Sequence, residues 1–163
     1  MGLDEVSSVL WRERELLALL LFKLEEEQLL LVGGRTRWLA RATREVELVL
    51  EEIRRTELLR AMEVDAAAAE VGLGPNPSLA ALADAVDEPW SALLRDHRQA
   101  FLTLTAEITA FAEANRDLLT RGQRANREAL LCLSGGAQTC APGGATVSAA
   151  TRSTRRRSGA DAP

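Results

Sequence analysis

Tyrosine is missing from this chain, histidine and lysine occur once each (His97 and Lys23), and cysteine occurs twice (Cys132 and Cys140). Each scarcity closes off a chemistry. A carboxylate-bridged dimetal centre in a helical bundle needs Glu-x-x-His from two helices, and the residue three before His97 is Leu94. Two cysteines eight apart, with no histidines clustered round them, indicate neither a zinc site nor a disulfide framework. There is no Gly-x-Ser-x-Gly elbow and no phosphate-cradling glycine loop, so the chain reads as a non-enzyme with no cofactor and no metal.

Long apolar runs are also lacking. The longest, Leu16 to Phe22, has seven residues, whereas a membrane span needs about 20. The N-terminus is acidic (Asp4, Glu5), unlike the basic start of a secretory signal. The expectation is a cytoplasmic protein without membrane insertion. Residues 1–133 carry 16 basic and 23 acidic side chains, a net of −7; residues 134–163 carry four Arg and one Asp, a net of +3. So acidic a body argues against nucleic acid as partner.

What the chain does have is Ala, Leu, Glu and Arg in abundance, all good helix formers. Leu3, Leu10, Leu17, Leu24 and Leu31 recur every seven residues, widened by Leu16, Leu20, Leu21, Phe22, Leu29 and Leu30. This predicts a helix over about 4–32, capped by Asp4, whose broad apolar stripe touches two neighbours. Gly33-Gly34 ends it. A second helix, about 36–70, shows Leu39, Ala42, Val46, Val49 and Ile53, then a phase slip near Leu58-Leu59 before Met62, Ala66 and Ala69. The stretch VGLGPNPS, 71–78, breaks the chain. Ser78 is placed to cap a short helix, about 78–86, and Asp87 to cap the last one, about 88–133, with Pro89 in its first turn. At 1.5 Å per residue that last helix would span about 65–70 Å. The fold class is therefore all-α: an elongated antiparallel helical bundle or coiled coil of three long helices plus one short helix, one domain over 1–133. Apolar periodicity vanishes from Ser134, which predicts a disordered Arg-containing tail over 134–163.

The last helix carries the strongest pattern. Leu94, Phe101, Ile108, Asn115, Gly122 and Ala129 lie seven apart; so do His97, Leu104, Phe111, Leu118, Ala125 and Cys132. That is the a/d seam of a helix packed lengthwise on another. It is bulky up to Phe111 and turns small and polar after Asn115. A seam that stops filling itself suggests a helix lent to a client. His97 reads as a partly solvated seam residue. Asn115 reads either as a register-setting buried polar residue or as a hydrogen-bond partner of a client's backbone. Leu118, Leu119, Leu130, Leu131 and Leu133 read as core or as client surface. Gly122 costs about 1 kcal/mol in mid-helix relative to Ala, which suggests looseness or close approach of another chain. The Arg152–Ser158 cluster reads as a solvated tail or a contact for an acidic surface.

Three stretches taken in order resemble a known family. LWRERELLALLLFKLEEEQLLLVGG is followed by RTRWLARATREVELVLEEIRRTELLRAMEVDAAAAEVGL, and after the break by PWSALLRDHRQAFLTLTAEITAFAEANRDLLTRGQRANREALLCL. Together they resemble the flagellar export chaperone family FlgN, in an actinobacteria-like form, over about residues 5–133. The resemblance implies an ATP-independent cytoplasmic chaperone of type III flagellar export. It would bind the C-terminal amphipathic segment of hook-associated proteins, which form the hook–filament junction, and deliver them to the export apparatus. The family's client-binding part lies in its last helix. On this chain that maps to Ala114–Leu119 and beyond, giving Phe111, Asn115, Leu118, Leu119, Gly122, Ala125, Ala129 and Leu130 as client-binding candidates. An aromatic docking contact supplied by tyrosine in some relatives must be replaced or missing here. The competing reading of the same heptads is a coiled-coil homodimeric scaffold unrelated to flagella.

Overall fold

The structure, a computed structural model, describes residues 2–134. Four helices follow one another: α1 (Gly2–Val32), α2 (Thr36–Glu70), α3 (Leu79–Ala85) and α4 (Trp90–Ser134). The chain divides into two units, Met1–Arg121 and Gly122–Pro163. The expected disordered tail lies outside the described residues, apart from Ser134, which closes α4.

Within the first unit, α1 and α2 form an antiparallel hairpin. The pairs Arg12–Glu52, Lys23–Glu45 and Thr43–Glu27 rise in number on one helix as they fall on the other. α4 runs parallel to α1, because Arg14 meets Asp96 early and Leu24 meets Asn115 late. Both long helices of the hairpin stop in the same way. Gly34 and Gly72 adopt left-handed φ of 64° and 75°. The following N–H groups, of Arg35 and Leu73, then reach back to Leu30 O and Ala68 O, each at 2.9 Å. This is the Schellman ending, and a residue with a Cβ resists its left-handed position.

The other ends differ from the sequence expectation in detail. α1 begins at Gly2, so Asp4 and Glu5 lie in its first turn, where they face the positive end of the dipole instead of capping it. Ser78 does cap α3, its Oγ accepting from Ala81 N at 3.1 Å. At the start of α4 the side chain that accepts a backbone N–H is Glu88, from Ala92 N at 3.0 Å, while Asp87 contributes only its carbonyl to Ser91 N. Ser91 Oγ in turn donates to Ala83 O at 2.7 Å and ties α3 to α4.

The interior holds two apolar clusters. One joins Val6 and Leu10 of α1, Val64 and Ala67 of α2, Leu82 and Ala83 of α3, and Leu94 of α4. The other joins Leu20 and Leu24 to Val46, Val49 and Ile53, with Ile108 and Phe111 of α4 packed against it. The expected phase slip in α2 is absent. Its buried face continues from Ile53 through Thr56 to Val64 and Ala67, and Met62 is 67% exposed. Thr56 is buried because its hydroxyl is satisfied locally, donating to Glu52 O at 2.9 Å. The broad α1 stripe also divides: Leu20 and Leu24 are core, whereas Phe22 and Leu29 are exposed.

His97 is a correction. It was expected to be partly solvated and is 0% exposed. Its ring meets the Trp11 ring edge-on at 4.8 Å and lies near-parallel to Phe101 at 6.1 Å.

Candidate functional site

The site residues named from sequence lie on α4, and the structure treats them in two groups. Phe111 is half-buried against the Leu20–Leu24 cluster. Asn115 is 3% exposed. Its Nδ2 donates to Leu24 O at 2.9 Å and to Glu27 Oε2 at 3.0 Å. Glu27 is itself buried, and its Oε1 accepts from Thr43 Oγ1 at 2.7 Å. A buried amide, a buried carboxylate and a half-buried hydroxyl thus link all three long helices. Both Nδ2 contacts are therefore engaged within the fold, while the Oδ1 is buried and has no hydrogen-bond partner among the described residues. The geometry matches a register-setting polar residue, since a slip of α4 would strand a carboxylate away from water. Leu118 and Leu119 follow, each half-buried.

From Thr120 to Ser134 every residue of α4 is exposed. Gly122, Ala125, Ala129 and Leu130 belong to this second group. A Cβ built on Gly122 meets nothing within 4 Å. The apolar side chains here stand in water: Leu130 is 65%, Leu131 65% and Leu133 81% exposed. Cys132 lies on the same helix; Cys140 lies outside the described residues. The Arg152–Ser158 cluster lies outside them too.

Sequence reasoning missed two features. The first is a second buried carboxylate, Glu13, paired with Arg60 at 2.8 Å. Burial pushes its carboxyl above the usual range, and Arg60 pulls the other way. Its signal was present: Val6, Glu13, Leu20 and Glu27 are seven apart, the same interval as the leucines beside them. The second is a groove of about 410 Å³ between α1 and α4, with Ala18, Ala100 and Leu104 as its apolar lining and the Arg14–Asp96 ion pair on its wall. Ala18 and Ala100 leave space where larger side chains would fill it.

Among the described residues no group of three His, Cys, Asp or Glu side chains is set to hold a metal ion. No described helix is long and apolar enough to cross a membrane. Among the described residues the arrangement offers helix surfaces. It defines a small all-α bundle that carries an exposed apolar helix end.

Comparison with known proteins narrows this class. The family model described as FlgN protein matches residues 1–145. The chain belongs to the FlgN family, of flagellar export chaperones. Neither a curated protein nor a solved structure matches it.

Proposed function

We propose that this chain is a cytoplasmic, non-enzymatic chaperone. In this reading it covers the C-terminal amphipathic segment of a hook-associated protein and hands that protein to the flagellar export apparatus. Family membership supports the general role. The observation that carries the finer reading is the wholly exposed stretch of α4 from Thr120 to Ser134, with three leucines in solvent. An apolar strip left open to water marks a surface that another chain covers. Gly122, Ala125 and Ala129 leave room beside it, and Leu130 supplies a knob; a client helix then seats by side chains entering the gaps between small residues. Phe111, Leu118 and Leu119, being half-buried, contribute only the parts of their side chains that remain open. Asn115 acts indirectly, by fixing the register of the helix that presents the strip.

The test is co-purification of a tagged hook-associated protein with the full chain and with an Ala129→Glu, Leu130→Glu double variant. Both substituted positions are exposed, so the variant keeps its unfolding midpoint. Loss of the complex at unchanged stability supports the proposal. Unchanged co-purification removes this strip from the client site.

A further inference from the structure

We propose that His97 is a proton-sensitive latch between α1 and α4: neutral, it seals the seam beside Trp11; protonated, it forces that seam open. The argument begins with what surrounds the imidazole. His97 is fully buried, and neither ring nitrogen has a hydrogen-bond partner among the described residues. One turn before it Leu94 packs with Val6 and Leu10, and one turn after it Phe101 rests on the same cluster. The edge contact with Trp11 closes the α1 side at 4.8 Å. A neutral imidazole in such a place gives up one donor and one acceptor. An imidazolium would give up two charged donors, at far greater cost.

The charges near it do not offset that cost. From α1 comes Arg14, whose guanidinium lies 5.0 Å from the Trp11 ring centroid, a like charge. From α4 itself comes Asp96, which already pairs with Arg14 at 2.9 Å. The buried Glu13 of α1 pairs through Oε1 with the half-buried Arg60 of α2 at 2.8 Å, its Oε2 having no partner among the described residues. Asp84 of α3 is held by Arg95 at 2.7 Å. Burial, and then Arg14, push the imidazole below its ordinary range, and Asp96 opposes them more weakly. A histidine lowered in the folded state gives full stability above its unfolded pKa of about 6.5. That stability is lost as the pH falls from there toward the folded value. The route to water that demands least rearrangement is separation of α4 from Trp11, because the α1–α2 hairpin does not depend on the imidazole.

His97 is the chain's only histidine, so its NMR signal in the full-length wild-type protein reads the titration directly. The expected result has two parts. The imidazole titrates below about 6.5. As the pH falls through that window, amide exchange of Leu94–Leu104 and of the Trp11 turn, corrected for intrinsic rates, rises up to about tenfold per pH unit. Exchange at Val46–Ile53 in α2 stays within about twofold over the same range, since the proposal needs only local opening. His97→Phe removes the titrating group, and exchange at the seam then becomes flat with pH. Titration at or above the ordinary value overturns the proposal. So does low titration with unchanged seam exchange, a rise in α2 exchange in step with the seam, or a pH response that survives in His97→Phe. Should the variant fail to fold, the wild-type titration and exchange decide alone.

Discussion

The first thirty residues of α4 and its last fifteen are written in much the same alphabet, and the fold uses them in opposite ways. Between Trp90 and Leu119 the seam is engaged: Leu94, His97 and Asn115 are buried, and Phe101, Ile108 and Phe111 pack on the interior clusters. Between Thr120 and Ser134 nothing is buried, although Leu130, Leu131 and Leu133 are as apolar as any residue before them. The difference teaches that hydrophobicity alone does not decide what is core. A leucine is core only where a partner helix stands opposite. In the early stretch α1 and α2 supply that partner. For the late stretch the proposed function assigns the partner to a client.

The sharpest way to break this contrast is to truncate a leucine in each region. Leu94→Ala should lower the unfolding free energy by about 2–5 kcal/mol in a urea titration, because it leaves a cavity among Leu10, Val64 and Leu82. Leu133→Ala should change it by less than about 0.5 kcal/mol. Equal losses at the two positions would abolish the distinction.

Next in size is the polar link that ends the packed stretch. Asn115→Ala leaves the buried Glu27 carboxylate and the Leu24 carbonyl short of a donor, which should cost about 1–3 kcal/mol. If the amide serves as a register device, as proposed, the same variant should leave a residual client complex.

A smaller effect of opposite sign is expected at Gly122. Its added Cβ meets open space, so Gly122→Ala should raise helix stability by about 1 kcal/mol. Client affinity should fall if the client approaches closely there. A variant that is more stable and binds equally well would place the client elsewhere along the helix.

The smallest effect concerns pH. The Glu13 carboxyl is raised mainly by burial, against the pull of Arg60. The folded state therefore holds its proton more tightly than the unfolded chain. The contribution of Glu13 is fully present below the ordinary carboxylate value and is lost as the pH rises through the raised one. Glu13→Gln should flatten the slope of stability against pH just above that ordinary value, in chemical denaturation at a series of pH values. An unchanged slope would mean that Arg60 dominates.

Much of the architecture was legible in the sequence. Heptads of Leu, Ala and Val marked the helices, Gly33-Gly34 and VGLGPNPS marked the breaks, and Ser78 announced a cap. What escaped was polar. The α2 stripe reads as slipping near Leu58-Leu59 and resuming with Met62 and Ala66, whereas the buried face continues through Thr56 to Val64 and Ala67. Glu13 and Glu27 were passed over because a glutamate in a leucine-rich helix is usually solvated. Arg60, Thr43 and Asn115, distant in sequence, are what make them interior. His97 was misjudged for a related reason. Its burial depends on Trp11, 86 positions earlier, and no periodicity within α4 reports that contact. The heptad named the candidate stretch of α4. Its division at Thr120 was not legible, because a heptad records a face and not whether anything stands opposite.

Hydrogen exchange over residues 120–134 tests the central claim most directly, measured on the full chain alone and then with a hook-associated protein's C-terminal segment added. The account predicts rapid exchange alone and slowing of at least about tenfold in the complex, the signature of a helix end that gains cover only from a partner. A stretch already protected in the isolated chain, or one left unchanged when the client is bound, would contradict it.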